Sequence, residues 1–281
     1  MTWDVPARAA LAADGLDLTA LDRRSTPGWS GDKAAGRART VNRGARMSEL
    51  QELLYAHGRS GGERSVLLVL QGMDTAGKGG IVRHVLGMVD PQGVALRSFG
   101  VPTAEERTQH YLWRIRNALP RPGAIGVFDR SHYEDVLVVR VEDLVPRDVW
   151  EPRYDEINAF EAELVEAGTV VVKVMLAISP EEQAERLRER LERPDKYWKY
   201  NPGDIDARER WHDYTAAYQA VLDRTSTAHA PWYVVPADRK WYARLAVTEL
   251  LTDALLGLGL SWPPADFDVA TELARLDASR P

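Results

Sequence analysis

Short continuous runs of apolar residues recur along the chain, and each is bounded by small or polar residues. Such a run, unlike an alternation of apolar and polar residues, is typical of a strand buried on both faces of a parallel sheet. The pattern predicts strands at Ser65–Gly72, Ala124–Asp129, Val170–Ser179 and Trp232–Ala237, with a weaker candidate at Val94–Gly100.

The segments between these runs carry apolar residues at helical spacing. In Met47–Gly58 they lie on one helical face, and Gly58 is suited to end the helix. Thr103 and Glu106 have the spacing of a capping box at the start of another helix. The predicted helices are Met47–Gly58, Thr103–Leu119, Ala207–Arg224 and Lys240–Gly259. Strands alternating with helices predict an α/β fold, in which helices cover both faces of a mainly parallel sheet.

Residue composition, periodicity and the positions of prolines divide the chain into three segments. Residues 1–45 are rich in Ala, Gly, Arg and Asp without sustained periodicity, and we interpret them as a partly ordered N-terminal extension. Residues 46–260 contain every predicted strand and form the folded domain. Residues 261–281 contain prolines near their start and are interpreted as a C-terminal tail that packs along the surface.

The first strand leads into a glycine-rich turn, "GMDTAGKGG". Between a buried strand and a helix, such a turn points backbone N–H groups at one spot, where a phosphate can bind. The Ser or Thr that usually follows the lysine and helps to hold magnesium is absent, and an aspartate lies inside the loop. The candidate phosphate-binding residues are Gly72, Met73, Asp74, Thr75, Ala76, Gly77, Lys78, Gly79 and Gly80.

A second motif, "FDRSHYEDVL", ends a buried strand at Asp129. In phosphate-loop enzymes a strand-end acid lies beside the loop and holds magnesium, which prefers oxygen ligands. Since Gly79 has no hydroxyl, Asp74 and Asp129 are the predicted metal pair. Arg130 is placed to clamp a transferring phosphoryl group. For His132 a structural role and a role in the site both stay open, and the three residues after it are expected to pack or cap.

Residues 181–210, after the strand that ends at Ser179, are interpreted as a helical lid. Arg186, Arg190 and Arg193 are spaced to share one helical face. A basic flap that closes over phosphates would exclude water from phosphoryl transfer. Because acids are interleaved, a solvated surface helix is the alternative. The further basic candidates are Lys196 and Lys199 in the lid, Arg83 after the loop, and Arg114, Arg116 and Arg121. For Arg114 and Arg116 a side chain that only faces solvent is the alternative.

Composition excludes several classes of protein. The chain has 281 residues and no cysteine, so disulfides, zinc–thiolate sites and a cysteine nucleophile are ruled out. The net charge of −6 argues against a nucleic-acid-coating protein, so a local basic cluster must hold any anionic substrate. No apolar run approaches the roughly 18 residues of a membrane span, and no signal peptide is evident. We therefore expect a cytoplasmic protein without membrane or nucleic-acid partners.

Four motifs, "GMDTAGKGG", "FDRSHYEDVL", "RPDKYWKYNPGDI" and "TSTAHAPWYVVPADRKWYAR", together resemble the polyphosphate kinase 2 family in order and spacing. The resemblance extends from about Met47 to Leu256. It implies a three-layer, thymidylate-kinase-like P-loop NTPase fold with a helical lid. It also implies transfer of a terminal phosphoryl group between inorganic polyphosphate and a nucleotide, with Mg²⁺ (or Mn²⁺), by a homo-oligomer such as a dimer or tetramer.

Residue by residue, the resemblance implies that Asp74 acts on the metal and the acceptor phosphate. It makes Lys78 the loop lysine, Asp129 the acid of the second motif and Arg130 its phosphate-binding arginine. The lid residues that match the family's basic lid are Arg190, Arg193, Lys196 and Lys199. The stretch "SHYEDVLVVRV" resembles the branch that accepts nucleoside monophosphates as well as diphosphates.

The main hypothesis is a reversible, polyphosphate-dependent nucleotide kinase that converts AMP to ADP and ADP to ATP. An ATP-dependent nucleoside monophosphate kinase on the same fold is one alternative, against which the missing hydroxyl after Lys78 counts. The other alternative is a non-catalytic polyphosphate- or nucleotide-binding module, in which Asp74 and Asp129 would have no catalytic role.

Overall fold

A five-stranded sheet forms the middle layer of the computed structural model, which describes residues 3–279. The strands are β1 Ser65–Gln71, β2 Val94–Ser98, β3 Ile125–Asp129, β4 Thr169–Ala177 and β5 Trp232–Pro236. They pair in the order β2-β3-β1-β4-β5, and every pair is parallel. The predicted α/β class and all five predicted strands, including the weaker one, are confirmed.

Helices connect the strands and cover both faces of the sheet. They are α1 Ala7–Ala10, α2 Lys33–Arg59, α3 Lys78–His84, α4 Trp113–Arg116, α5 Val138–Val141, α6 Arg147–Trp150, α7 Arg153–Glu166, α8 Pro180–Glu192, α9 Gly203–Glu209, α10 Trp211–Thr225, α11 Lys240–Gly257 and α12 Val269–Ala278. Short 3₁₀ turns lie at Leu86–Met88, Pro91–Gly93, Glu106–Thr108, His132–Asp135 and Pro194–Lys199.

Two hydrophobic clusters lie on opposite faces of the sheet. The cluster that includes α2, α3 and α11 receives Val66, Leu68 and Leu70 of β1, whereas the cluster that includes α7 and α10 receives Leu67 and Val69. Every residue of β1 is therefore buried, which explains its continuous apolar run. From β1 the chain crosses toward β2 on one side, and β4 lies on the other side, so a crevice opens at the carboxyl end of β1.

The helix predicted from Met47 begins at Lys33, fourteen residues earlier, and ends at Arg59 rather than at Gly58. Asp32 caps its first turn by accepting a hydrogen bond from the Ala35 N–H. The part of α2 before Met47 was not predicted, since it has no apolar stripe and packs against Trp241 through Gly36. A Cβ on Gly36 would lie 2.4 Å from the Trp241 ring, so only glycine permits this approach. The boundary placed between residues 45 and 46 thus falls inside one continuous helix.

The N-terminal segment is more ordered than its composition predicts. Leu11 and Trp29 are buried against the core. The Leu11 carbonyl accepts a hydrogen bond from the Val234 N–H at 2.8 Å, and the Ala13 N–H donates to the Trp232 carbonyl. The segment thus covers the β5 edge of the sheet. Residues 1–2 of the predicted extension and 280–281 of the predicted tail lie outside the described residues.

Two predicted helices and the tail are also corrected. The capping box forms, with the Thr103 N–H donating to Glu106 at 2.8 Å, but only short turns and α4 follow it. That stretch buries little apolar surface, and packing supplies most of the stability of a helix. The predicted Ala207–Arg224 helix is broken at Arg210 into α9 and α10. In the tail, α12 buries no residue, so close packing along the surface is not found.

Among the described residues, no helix has both the length and the apolarity needed to cross a membrane.

Candidate active site

The phosphate loop joins the carboxyl end of β1 to the first residue of α3. Gly72 and Gly77 have φ angles of 147° and 115°, which residues with side chains rarely adopt. A Cβ on Gly72 would also lie 2.6 Å from the Leu176 carbonyl oxygen. By contrast, a Cβ on Gly79 or Gly80 would meet nothing within 4 Å, so the space beside the start of α3 is open.

Three charged groups meet at the loop. Lys78 is buried and donates from Nζ to the Gly72 carbonyl at 2.6 Å. The Arg130 guanidinium donates to Asp74 Oδ1 at 2.7 Å. Burial alone would raise the pKa of the Asp74 carboxyl, but Lys78 and Arg130 outweigh it and hold the pKa below its ordinary value. Asp74 is therefore ionised at neutral pH and fixed beside the two cations.

Asp129 ends β3 directly beside β1, where it pairs in register with Leu70. Within residues 3–279 its carboxylate makes no hydrogen bond, so both oxygens stay available. The same part of the chain contains no group of three or more Asp, Glu, His or Cys side chains arranged to hold a metal. Two carboxylates beside an open cleft nevertheless fit magnesium, which commonly takes one or two protein carboxylates and keeps several waters.

Two cavities adjoin at Asp74 and Arg130. The smaller, about 340 Å³, we call the tyrosine cavity; besides those two residues its lining includes Leu137, Val138, Glu142, Tyr214 and Tyr218. The larger, about 890 Å³, we call the basic cleft; its lining includes Lys78, Arg83, His84, Arg190, Lys196, Lys199, Lys240 and Arg244, with Asp129. A partly apolar chamber thus opens into a strongly cationic one at the phosphate loop.

The structure brings most of the predicted site residues together. Gly72 and Met73 line the tyrosine cavity, and Thr75, Ala76, Gly77, Gly79, Gly80, Arg83, Arg190, Lys196 and Lys199 line the basic cleft. Arg193 lies outside both cavities and pairs with Glu189 and Asp195.

Three other basic candidates also lie elsewhere. Arg114 donates to the Gly100 carbonyl, Arg116 pairs with Glu163, and Arg121 lies over the Tyr55 ring.

Positive charge is crowded at the far end of the basic cleft. Burial lowers the pKa of Lys240, and Arg186 and Lys196 lower it further. Burial, Arg244 and Arg83 likewise lower the pKa of His84. Burial is the largest cause of both shifts, and the neighbouring cations add to it. The number of cationic side chains that line the cleft is what favours a ligand with several negative charges.

Sequence reasoning missed both the far wall of the basic cleft and the lining of the tyrosine cavity. Lys240 and Arg244 lie one turn apart at the start of α11, directly after β5. The placement of basic residues after a strand end was the available signal. Glu134, expected only to pack or cap, borders the tyrosine cavity. Burial raises the pKa of Glu134 although Arg130 and Lys78 oppose the rise.

Comparison with known proteins identifies the family. The sequence profile of the Polyphosphate kinase 2 family matches residues 30–257. The chain belongs to the polyphosphate kinase 2 family. A crystal structure of the family's Polyphosphate Kinase 2 from Arthrobacter aurescens TC1 superposes with a TM-score of 0.96 at 51% identity, covering 99% of each chain. The predicted P-loop kinase fold and the resemblance are thereby confirmed.

Curated members of the family are similar over most of the chain. The AMP/ADP-polyphosphate phosphotransferase of Meiothermus ruber is 45% identical over 88% of this chain and 91% of its own length. The ADP-polyphosphate phosphotransferase of Rhodopseudomonas palustris is 42% identical over 78% of both chains. The Polyphosphate:AMP phosphotransferase of Pseudomonas aeruginosa is 41% identical over 69% of this chain, which matches 39% of that longer protein.

Proposed function

We propose that the enzyme transfers the terminal phosphoryl group of inorganic polyphosphate to a nucleoside mono- or diphosphate, reversibly, so that AMP gives ADP and ADP gives ATP. The observation that carries the proposal is the meeting of the basic cleft and the tyrosine cavity at Asp74 and Arg130. A polyanion suits the first chamber, and a nucleoside suits the second. The names of the relatives, which include both AMP and ADP as acceptors, support the same reaction.

In this proposal an oxygen of the acceptor's terminal phosphate attacks the last phosphorus atom of the polyphosphate. The bond from that phosphorus to the next bridging oxygen breaks, and the shortened polyphosphate leaves with the electron pair. Lys78 and Arg130 bind the negative charge that passes between the two substrates. Positioning and charge neutralisation account for most of the catalysis of phosphoryl transfer, so no covalent intermediate on the protein is needed.

We propose that Asp74 and Asp129 hold Mg²⁺, which Mn²⁺ can replace. The metal would supply further neutralisation of phosphate charge when bound. Asp129 has free oxygens at the edge of the cleft, while Asp74 is oriented by Arg130.

An acceptor panel tests the proposed function. Purified enzyme is mixed with magnesium and with AMP, ADP, GMP or GDP, with polyphosphate as the sole donor and parallel reactions that contain ATP instead. We expect ADP from AMP and ATP from ADP with polyphosphate. Product from no acceptor, or only when ATP is the donor, would refute the proposal and favour an ATP-dependent kinase or a binding module.

We also propose that the enzyme is a homo-oligomer of two or four copies and needs no nucleic acid. Support comes from α12, whose Leu273 and Leu276 are 55% and 66% exposed within the single chain. Light scattering of nuclease-treated protein measures the state directly, and a monomer would contradict it.

Polyphosphate affinity is expected to rise as pH falls from about 8 to about 6, owing to His84. Burial and two arginines lower the pKa of free His84 below 6.5, and a bound polyanion would raise it. Since the bound form then takes up a proton, lower pH favours binding, by up to about tenfold per unit of pKa shift. Titrating polyphosphate at several pH values checks this. His84→Gln should flatten the dependence, and an equally steep profile in that variant would contradict the assignment.

A further inference from the structure

Three backbone carbonyl groups of the phosphate loop accept hydrogen bonds from side chains of α8, the first helix of the lid. The Asp74 carbonyl accepts from Gln183 Nε2 at 3.1 Å. The next two carbonyls, of Thr75 and Ala76, accept from the Arg186 guanidinium at 2.9 and 3.2 Å. Gln183 and Arg186 are both buried on α8, three residues apart and so on one face. Three consecutive loop carbonyls are thus held by one pair of side chains.

Arg186 has no N–H group left for a substrate. Its Nε donates to Glu182 at 2.9 Å, and its remaining terminal nitrogen donates to the carbonyls of Ala237 and Asp238 at 2.8 and 3.1 Å. With the two bonds to the loop, these five bonds match the five donors of a guanidinium. The side chain borders the basic cleft yet is only 6% exposed. The sequence predicts only that Arg186 shares a helical face with Arg190 and Arg193; in the structure all its donors bind acceptors of the protein itself.

These bonds fix the direction in which the loop's peptide groups point. In a planar trans peptide the N–H and C=O groups point in opposite directions, so carbonyls held toward α8 direct the N–H groups of the same peptides away from it. Of these, the Ala76 N–H donates to the Met73 carbonyl at 3.0 Å, which leaves the N–H groups of Thr75 and Gly77 for the anion site. The loop includes Thr75 at a φ of 65°, a left-handed conformation that residues with side chains rarely adopt and that the surrounding structure must stabilise. The Arg186 bond to the Thr75 carbonyl provides that stabilisation.

We propose that Arg186 and Gln183 are positioning residues that hold the phosphate loop in its anion-binding conformation and never touch phosphate. The inference rests on the proposed function. It also connects the loop to the lid. Arg208, on α9, donates to Gln183 Oε1 at 3.1 Å, and Arg190 lies one turn beyond Arg186 on α8. α8 therefore contacts the loop carbonyls directly, and α9 contacts them through Gln183.

The test compares kinetics with the salt dependence of polyphosphate binding. Arg186→Met should lower kcat about a hundredfold, the usual consequence of displacing reacting groups by about 1 Å. Arg186→Lys should fall between it and the wild type, because an ammonium offers three donors instead of five. Neither variant should change the slope of log affinity against log salt. Lys240→Met, which removes a cation of the cleft, should reduce that slope by roughly 0.7–0.9, as one lost phosphate contact does on nucleic acids.

Arg188 supplies the matched control, since it is exposed on the same helix and lines neither cavity. Arg188→Met should match the wild type in kcat and slope. A reduced slope in Arg186→Met would make Arg186 a direct phosphate ligand and overturn the proposal. An unchanged kcat per folded molecule, with only a lower melting temperature, would overturn it as well.

Gln183→Leu is measured in parallel in case Arg186→Met does not fold, and it should lower kcat at an unchanged slope. An unchanged kcat in Gln183→Leu and Arg186→Lys would overturn the proposal without the methionine variant. If the wild type itself forms no product from polyphosphate, the proposed function fails, whereas the binding slopes still report whether Arg186 contacts the polyanion.

Discussion

Replacing Lys78 with alanine is expected to lower kcat with polyphosphate by about a thousandfold, because a charged donor at the point of phosphoryl transfer is lost. The Lys78 ammonium lies at the mouth of the phosphate loop, 2.6 Å from the Gly72 carbonyl, and helps to keep the Asp74 carboxyl ionised. Lys78 lines the basic cleft at the phosphate loop, beside Asp74 and Arg130, where the two cavities meet. Steady-state kinetics with ADP as acceptor measures the effect.

The control for this variant must separate catalysis from folding, since removing Lys78 leaves the Gly72 carbonyl without its partner. Lys33→Ala, at the exposed start of α2, keeps the loop intact and should retain wild-type kinetics. Urea unfolding of both variants gives the folded fraction under assay conditions. A Lys78→Ala enzyme that is folded and keeps kcat within a few-fold of the wild type would remove Lys78 from the mechanism.

The strands could be predicted because each pattern had one physical cause. β1 and β4 are covered on both faces, so their runs are almost wholly apolar, with Lys173 the one charged residue inside β4, and their ends are clear. β2 was the weaker candidate because it lies at the edge of the sheet and its last residues are exposed. Where burial is complete, the sequence carries the signal; at an edge, hydrogen bonding defines the strand with little help from burial.

The errors arose where tertiary contacts replaced local pattern. The first half of α2 packs through Gly36 and pairs Arg39 and Arg43 with Glu249 of α11. Neither feature produces an apolar stripe, so the pattern favoured an extension. At Thr103 the opposite happened. A correct capping box was present, but few buried side chains followed it to sustain a helix.

The part of the site that lies at the carboxyl ends of the strands could be predicted from the sequence. Asp74 and Lys78 follow β1, whereas Asp129 ends β3 and Arg130 follows it. The structure brings all four to the lining of the basic cleft. The role of Arg186 could not be predicted, because helical spacing gives a residue's face and not its partners. Only the folded chain brings four backbone carbonyls, from the loop and the end of β5, around one guanidinium.

Lys173→Met is expected to lower the free energy of unfolding by about 3–5 kcal/mol, as removal of one partner from a buried ion pair does. Lys173 lies within β4, is fully buried, and donates from Nζ to Glu161 at 2.6 Å and to the Thr225 carbonyl at 2.6 Å. It also donates to the Tyr133 hydroxyl at 2.9 Å. Methionine fills a similar volume but leaves the Glu161 carboxylate and the Thr225 carbonyl short of a donor. Urea unfolding at neutral pH measures the loss.

The matched comparison is Lys173→Met with Glu161→Gln, which removes both charges. Because no uncompensated carboxylate remains, the double variant should be less destabilised than the sum of the two single changes. Coupling of at least about 1 kcal/mol is expected for contacting groups, and additivity of the two losses would contradict a paired role.

Acid adds a second test of the same pair. Burial alone would raise the pKa of Glu161, but Lys173 and His132 hold it below 4.5. In the wild type this contribution is therefore present above about pH 4.5 and lost as pH falls through the lowered pKa. Without Lys173 the pKa of Glu161 should rise. Protonation of Glu161 then removes an unpaired buried charge from the variant, whereas in the wild type it breaks the ion pair and lowers the free energy of unfolding. The stability difference between them should narrow toward pH 4, and a difference independent of pH would show that Glu161 is not the group left unpaired.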